Sequence, residues 1–487
     1  MPLRRQSGRT MPEPSWTERD RFDKLDPISS FLADWVDPTE DEDEFRSDFF
    51  DGMAGRRRKA AFALMMVWGT TISLHLVSWG IWVVLGATAL AGVYLLQLAL
   101  RRPRPLPEPL GTLDSDKVPS VSILVSARNE ESVVGELVES LCNLDYPVDR
   151  YEVWLVNDRS TDGTGAVLDS LTRQYDRLQV LHRPAIAGGG KSGALNDALA
   201  RTRGEIVAVF DADAQVPRNL LRRVVPLFLA SERVGAVQVR KDIENEPLNF
   251  WTRGQWAEQA LDAYWQQQRV AASGIGELRG NGQFVRRAAL MRCGRWNEQT
   301  ITDDLDLTLR LQLDDWEIDY LSDPPVGEEG VTRAIALWHQ RNRWAEGGYQ
   351  RYLDYWRLLA RNRLGWRKSA DLAVFAFLQY VLPTAVIPDT LMALWRHRLP
   401  LLAPLTSLSL LAIAWGTCAG VRRVRDKELN LRAILAILVR SLRGAIYMLH
   451  WTLVIPSMTA RLSVRPKQLK WVKTVHQGTN EQQARSA

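Results

Sequence analysis

Ile206-Val207-Ala208-Val209-Phe210-Asp211-Ala212-Asp213 is the stretch whose reading decides the fold. A short run of β-branched and aromatic residues reads as a buried strand, and it stops abruptly at two carboxylates separated by one small residue. Extended backbone through Ala212 would point both aspartates to one side at the strand's carboxyl end. In open α/β sheets that end is where ligands bind. Two neighbouring carboxylates repel unless a cation lies between them. Hard oxygen ligands suit Mg2+ or Mn2+, and Mg2+ is usually held by one or two carboxylates together with substrate phosphates. The competing reading is a solvated turn, so the neighbouring segments must decide.

Outward from this stretch, short apolar runs alternate with amphipathic ones between Val118 and about Trp344, the pattern of an α/β sheet domain. Val121–Val125, Glu152–Val156 and Gly235–Val239 read as further strands. Between the first two, Glu130–Leu141 is a helical crossover of the kind parallel strands need. Three well-separated cysteines, Cys142, Cys293 and Cys418, give neither a disulfide framework nor zinc spacing. A net charge of +5 on 487 residues does not imply nucleic acid, and none is expected as a partner.

The flanks differ in character. Residues 1–58 hold an acidic cluster and no sustained apolar period, so a disordered tail is expected there rather than a signal peptide. Residues 59–102 are long enough for two membrane spans broken near Trp79-Gly80, with basic clusters on both sides that place both ends in the cytoplasm. Pro103, Pro105, Pro107 and Pro109 make a stiff connector. The catalytic-type domain is expected over 118–345. Mixed aromatic and basic residues over 346–370 suggest a helix lying on a bilayer surface, against the alternative of a plain exposed helix. Residues 371–460 hold two to three spans, with Pro383 and Pro388 as kink sites in the first and an interfacial helix carrying Arg432, Arg440 and Arg443. A polar tail follows over 461–487. Nineteen tryptophans fit membrane interfaces or sugar-stacking surfaces, beside ordinary core packing.

Four acidic sites recur in the middle domain. They are Ser126-Ala127-Arg128-Asn129-Glu130, Asn157-Asp158-Arg159-Ser160, Asp211-Ala212-Asp213, and Thr302-Asp303-Asp304-Leu305-Asp306, the last followed by Gln340-Arg341-Asn342-Arg343-Trp344. In this order the set resembles the family 2 glycosyltransferases of GT-A fold, in the membrane-embedded branch with cellulose and hyaluronan synthases. The resemblance implies an α/β, Rossmann-like GT-A domain flanked by transmembrane helices and a nucleotide-sugar donor. It gives Asp158 the uracil, Asp211 the ribose or phosphate edge and a share in the metal, and Asp213 the metal at the diphosphate. A carboxylate is also the residue type that would accept hydrogen bonds from a uracil imide or ribose hydroxyls. Lys191, in Gly188-Gly189-Gly190-Lys191-Ser192, sits in a loop like the family's nucleotide-binding loop, where a flexible glycine hinge is the alternative. Asp304 matches the family's general base, and inversion at the sugar carbon is implied. Asp303 stands where the family usually has glutamate, which puts the placement of the acceptor in question. Gln340, Arg343 and Trp344 would contact the diphosphate and wall the acceptor, or else belong to an ordinary amphipathic helix.

A processive polysaccharide synthase needs enough helices to wall a polar channel, whereas a lipid enzyme needs only a groove open to the bilayer. The few polar residues in the apolar segments, His75 chief among them in the first hairpin, favour lipid. Leu25–Ser30, Gly55–Ala61 and Ser73–Gly80 resemble a cyanobacterial family that glucosylates diacylglycerol. That likeness implies UDP-glucose as donor, diacylglycerol as acceptor, Mg2+ as cofactor, and a thylakoid or plasma membrane. A silent UDP-sugar sensor is the alternative from another class, and an intact Asp304 argues against it.

Overall fold

The computed structural model describes residues 55–111, 118–425 and 430–464. Most of the acidic tail, including Leu25–Ser30, lies outside the described residues, as does the polar tail from residue 465.

Two helices come first, α1 (Arg56–Leu76) and α2 (Gly80–Ala99). The sheet domain then runs β1 (Val121–Ala127), α3 (Val134–Cys142), β2 (Tyr151–Asn157), α4 (Thr164–Leu171), β3 (Leu178–His182), α5 (Gly190–Leu199), β4 (Ile206–Phe210), α6 (Leu220–Ala230) and β5 (Val234–Ile243). It continues with α7 (Phe250–Ala271), β6 (Gln283–Arg286), α8 (Arg287–Arg292), α9 (Asp303–Leu313) and β7 (Glu317–Glu328). The remaining helices are α10 (Ala334–Asp354), α11 (Trp356–Ala360), α12 (Gly365–Ala376), α13 (Leu382–Trp395), α14 (Ala403–Arg425), α15 (Leu431–Met448) and α16 (Trp451–Val464).

The strands form one sheet in the order β3-β2-β1-β4-β6-β5-β7, in which only β6 runs antiparallel to its neighbours. β1 and β4 are buried almost throughout, because helices cover both faces. The chain winds outward from β1 to β3 and then returns to the other side of β1 with β4. This reversal opens a crevice beyond the carboxyl ends of β1, β2 and β4. The four expected strands are present; β3, β6 and β7 were not anticipated.

Four helical segments are long and apolar enough to cross a membrane: Gly80–Ala99, Gly365–Trp395, Ala403–Val424 and Leu431–Val464. Two spans were expected before residue 102, but α1 is not among these four, because Arg56, Arg57, Arg58 and Lys59 form its first turn. A five-residue π-helix, Phe377–Val381, joins α12 to α13 just before Pro383. Proline has no N–H to donate, so the helical ladder shifts register beside Pro383, one of the two expected kink sites. The single surface helix expected over 346–370 is instead the end of α10, the short α11 and the start of α12. Tyr355 points inward and is buried, whereas Trp366 is 79% exposed.

Candidate active site

Each segment of the crevice wall comes from the end of a regular element. Asp158 follows β2, is 3% exposed, and accepts from Arg183 Nη1 at 2.8 Å and Arg159 Nε at 3.1 Å. Arg183 also donates to the Gly188 carbonyl at 2.7 Å and to Asp197 at 2.8 Å, so it ties Asp158 to the glycine loop. In that loop Gly189 has φ +75°, and a Cβ there would lie 2.3 Å from Glu298 Oε2, which demands glycine. α5 starts at once, with Lys191 in its first turn. The N–H groups at a helix start suit an anion.

The strand does not persist through Ala212. β4 ends at Phe210, and the Ala214 N–H closes a turn on the Asp211 carbonyl at 3.1 Å. Asp211 and Asp213 nonetheless both line the crevice. Lys191 Nζ lies 2.5 Å from Asp211 Oδ1, and Asp213 Oδ2 accepts from the Glu329 N–H at 3.2 Å. Although burial opposes its charge, the acidic surroundings (Asp211, Asp303 and Asp304) hold the Lys191 ammonium well above the usual lysine range.

Asp304 opens α9, where its Oδ1 accepts the Leu305 N–H at 2.8 Å. Burial, and then the adjacent Asp303 carboxylate, push Asp304 up to about 6. Arg343 on α10 faces the same acids: burial lowers its pKa, while Asp211, Asp304 and Asp303 work against that. Trp344 is stacked by Arg341 at 4.0 Å and approached by Lys241 Nζ at 5.3 Å. Arg341 donates to Gln340 Oε1 at 3.0 Å, to Tyr447 at 3.2 Å and to Glu258.

Asp158, Lys191, Asp211, Asp213, Asp304, Gln340, Arg343 and Trp344 all line one cavity of about 1900 Å3. The same cavity continues between the long apolar helices, where Phe375, Leu378, Leu382, Val386, Ile413 and Met448 form its wall. Sequence reasoning missed Arg183, Arg341 and Glu258. Arg341 lies inside the quoted Gln340–Trp344 stretch, but its complete burial is a tertiary fact, and Glu258 carried no sequence signal.

Asp211 and Asp213 could hold a divalent cation. Among the described residues no group of three or more His, Cys, Asp or Glu is placed to hold a metal. The protein thus offers two carboxylates, which is the complement of a cation whose other ligands are diphosphate oxygens and water. The lysine ammonium at Asp211 shows that this wall attracts positive charge.

Residues 119–347 match the family described as "Glycosyltransferase like family 2". The chain is 56% identical over 475 residues to the beta-monoglucosyldiacylglycerol synthase of Synechocystis sp., covering 97% of this chain and 98% of that one. A Nostoc sp. protein of the same name is 55% identical over 474 residues, covering 97% and 100%. The chain belongs to the family 2 glycosyltransferases. The fold of this glycosyltransferase is also that of a mannosyltransferase from Pyrobaculum calidifontis solved with GDP-Man and Mn2+. That structure has a TM-score of 0.51 and 22% identity, over 78% of this chain and 99% of that one.

Proposed function

We propose that this glycosyltransferase moves glucose from UDP-glucose to 1,2-diacylglycerol, giving β-monoglucosyldiacylglycerol. The observation that carries the reading is the single cavity that joins the acidic cluster to an apolar wall among the long helices. A sugar nucleotide and a lipid can meet there without either leaving its own phase. The near full-length relatives bear the name of this activity.

In this reading Asp158 takes the uracil and Asp211 the ribose or phosphate edge. Lys191 and Arg343 neutralise the diphosphate. Asp213 and Asp211 would hold Mg2+, or Mn2+ in its place, which would supply Lewis-acid stabilisation for the departing UDP. Asp304 accepts the proton of the acceptor hydroxyl as that oxygen attacks the anomeric carbon from the side opposite UDP, so configuration inverts. Its position at about 6 keeps most of the carboxylate ionised at neutral pH while leaving it basic enough to take a proton. Trp344 and Gln340 wall the acceptor. Arg341 holds Trp344 by stacking on its ring.

The sheet domain stands on the cytoplasmic side of a thylakoid or plasma membrane. The apolar lining of the cavity's far end favours a lipid over a polysaccharide, which would need polar walls along its path.

The test uses membranes carrying the full chain, labelled UDP-glucose and diacylglycerol, with Mg2+ or EDTA. Label in one chloroform-soluble glycolipid, dependent on Mg2+ and on Asp304, is the expected result. Label in insoluble polymer would sink the reading.

A further inference from the structure

Between Asp304 and the apolar wall lies a polar cluster that the reading above leaves without a task. Glu277 is 3% exposed, and three guanidinium groups converge on it. Arg279 Nη2 lies 2.9 Å from its Oε2, while Arg351 Nη2 and Arg269 Nη1 lie 3.1 Å and 3.5 Å from its Oε1. Arg279 also pairs with Asp262 at 2.8 Å, and Arg269 with Asp371 at 2.9 Å. Three cations therefore face three carboxylates, and the cluster as a whole is neutral. Burial alone would raise Glu277, but the three arginines hold it well below the usual carboxylate range.

The hydrogen bonds of Arg279 and Arg351 to protein run through Nη2 in both residues. Nε is enclosed by protein in both. Among the described residues Nη1 of each has no hydrogen-bond partner and is not enclosed, and both residues line the cavity. Each therefore offers spare N–H donors to whatever fills the cavity. Arg351 is itself only 3% exposed, so this is a built donor rather than a surface arginine.

Their placement beside the base is specific. Gly280, the residue after Arg279, would carry a Cβ 3.4 Å from Asp304 Oδ2. Arg351 lies two helical turns beyond Trp344 on the same face of α10. Toward the apolar side, Arg269 stacks on Phe375 at 4.1 Å, and Phe375 belongs to the apolar wall. A lipid whose hydroxyl reaches Asp304 and whose chains lie along that wall must pass its linkage region across Arg279 and Arg351.

We propose that Arg279 and Arg351 form the acceptor's linkage site, donating through Nη1 to the ester carbonyls of a neutral glyceride. This rests on the lipid-acceptor reading and deepens it. A carbonyl oxygen is a strong acceptor for a guanidinium, whereas an ether oxygen at the same place is a poor one. The site therefore selects ester-linked over ether-linked glycerides. The neutrality of the cluster gives it no net attraction for a phosphate headgroup.

The test compares 1,2-dioleoylglycerol with 1,2-di-O-oleylglycerol as acceptors for the purified full chain in nanodiscs, with saturating UDP-glucose. Wild type is expected to favour the ester by roughly 10- to 100-fold in kcat/KM, chiefly through KM, from the loss of charge-assisted hydrogen bonds. Arg279→Lys keeps a cation for Asp262 and Glu277 but loses the planar donor, and the preference should fall toward parity. A merely structural role would depress both acceptors alike and leave the ratio unchanged. Equal use of ester and ether by wild type overturns the proposal without any variant, as does an unchanged ratio in Arg279→Lys. A wild-type protein that binds UDP but glucosylates neither glyceride overturns the lipid-acceptor reading, and this inference with it.

Discussion

The ammonium of Lys191 lies 2.5 Å from Oδ1 of Asp211, so a cation of the protein occupies the place that the proposed function gives to a metal ion. On that reading metal and lysine would compete for one carboxylate, and a bound diphosphate would draw the lysine away. Lys191→Ala is therefore expected to tighten Mn2+ binding in the absence of nucleotide and to weaken UDP binding by about 10- to 100-fold. Isothermal titration of each ligand reads both changes. Weaker Mn2+ binding in the variant would remove Asp211 from the metal site.

Burial and Asp303 raise Asp304 to about 6, so activity should fall with an acid limb near that pH as the base becomes protonated. Asp304→Asn is expected to lower kcat by about 10²- to 10⁴-fold with UDP affinity retained. The sign for stability is opposite. A carboxyl whose folded pKa is raised contributes stability below its ordinary value of 3.8, and that contribution is lost as pH rises through about 6. The amide should thus melt higher than wild type at neutral pH, by on the order of 2–4 °C for each kcal/mol relieved. A lower melting temperature would contradict the strain assigned to this carboxylate.

Arg341 is wholly buried between Trp344 and Trp451 and pairs with Glu258. Arg341→Ala leaves that carboxylate unpaired and should cost about 3–5 kcal/mol of stability. Arg341→Lys keeps the charge but loses the planar stack on Trp344, so folding should survive while the KM for the acceptor rises. Circular dichroism on heating and acceptor titration separate the two effects. A lysine variant with unaltered acceptor KM would show that the stack does not position Trp344.

A Cβ on Gly348 would lie 2.0 Å from the Tyr380 hydroxyl oxygen but 3.3 Å from its Cζ. Gly348→Ala is expected to destabilise by about 1–3 kcal/mol through overpacking. Tyr380→Phe removes the offending atom, so the double variant should recover most of the loss, a coupling that a double-mutant cycle measures directly. Additive losses would mean that α10 and the π-helical turn do not meet at this point.

The residues that sequence reasoning could place sit where a strong periodic signal breaks. Asp158 and Asp211 end apolar runs that pair as parallel strands, and Lys191 ends a glycine triplet. β7 was hidden by Pro324 and Pro325, which argue against a strand. It tolerates them because the register jumps between Leu321 and Val326, so neither proline meets a ladder partner in β5. β6 is four residues long and forms only because β4 and β5 flank it. The Glu277 cluster was not legible because Arg351 and Asp371 lie far in sequence from Arg269 and Glu277 and meet them only through packing.

The proline-rich connector after α2 does not swing free. Leu106 and Leu110 pack on the sheet domain's core, Arg222 grips the Gly111 carbonyl at 2.9 Å, and the Leu110 N–H returns to the Arg222 carbonyl at 3.0 Å. At the other end, Gln268 of α7 caps the Leu98 and Arg101 carbonyls at 2.7 Å and 2.9 Å. Fastened at both ends, the segment acts as a depth gauge: on the proposed reading it would hold Asp304 at one height above the hydrocarbon. A domain so tied would not stoop for a lipid; the lipid would have to rise by the same amount each time, whatever the length of its tails.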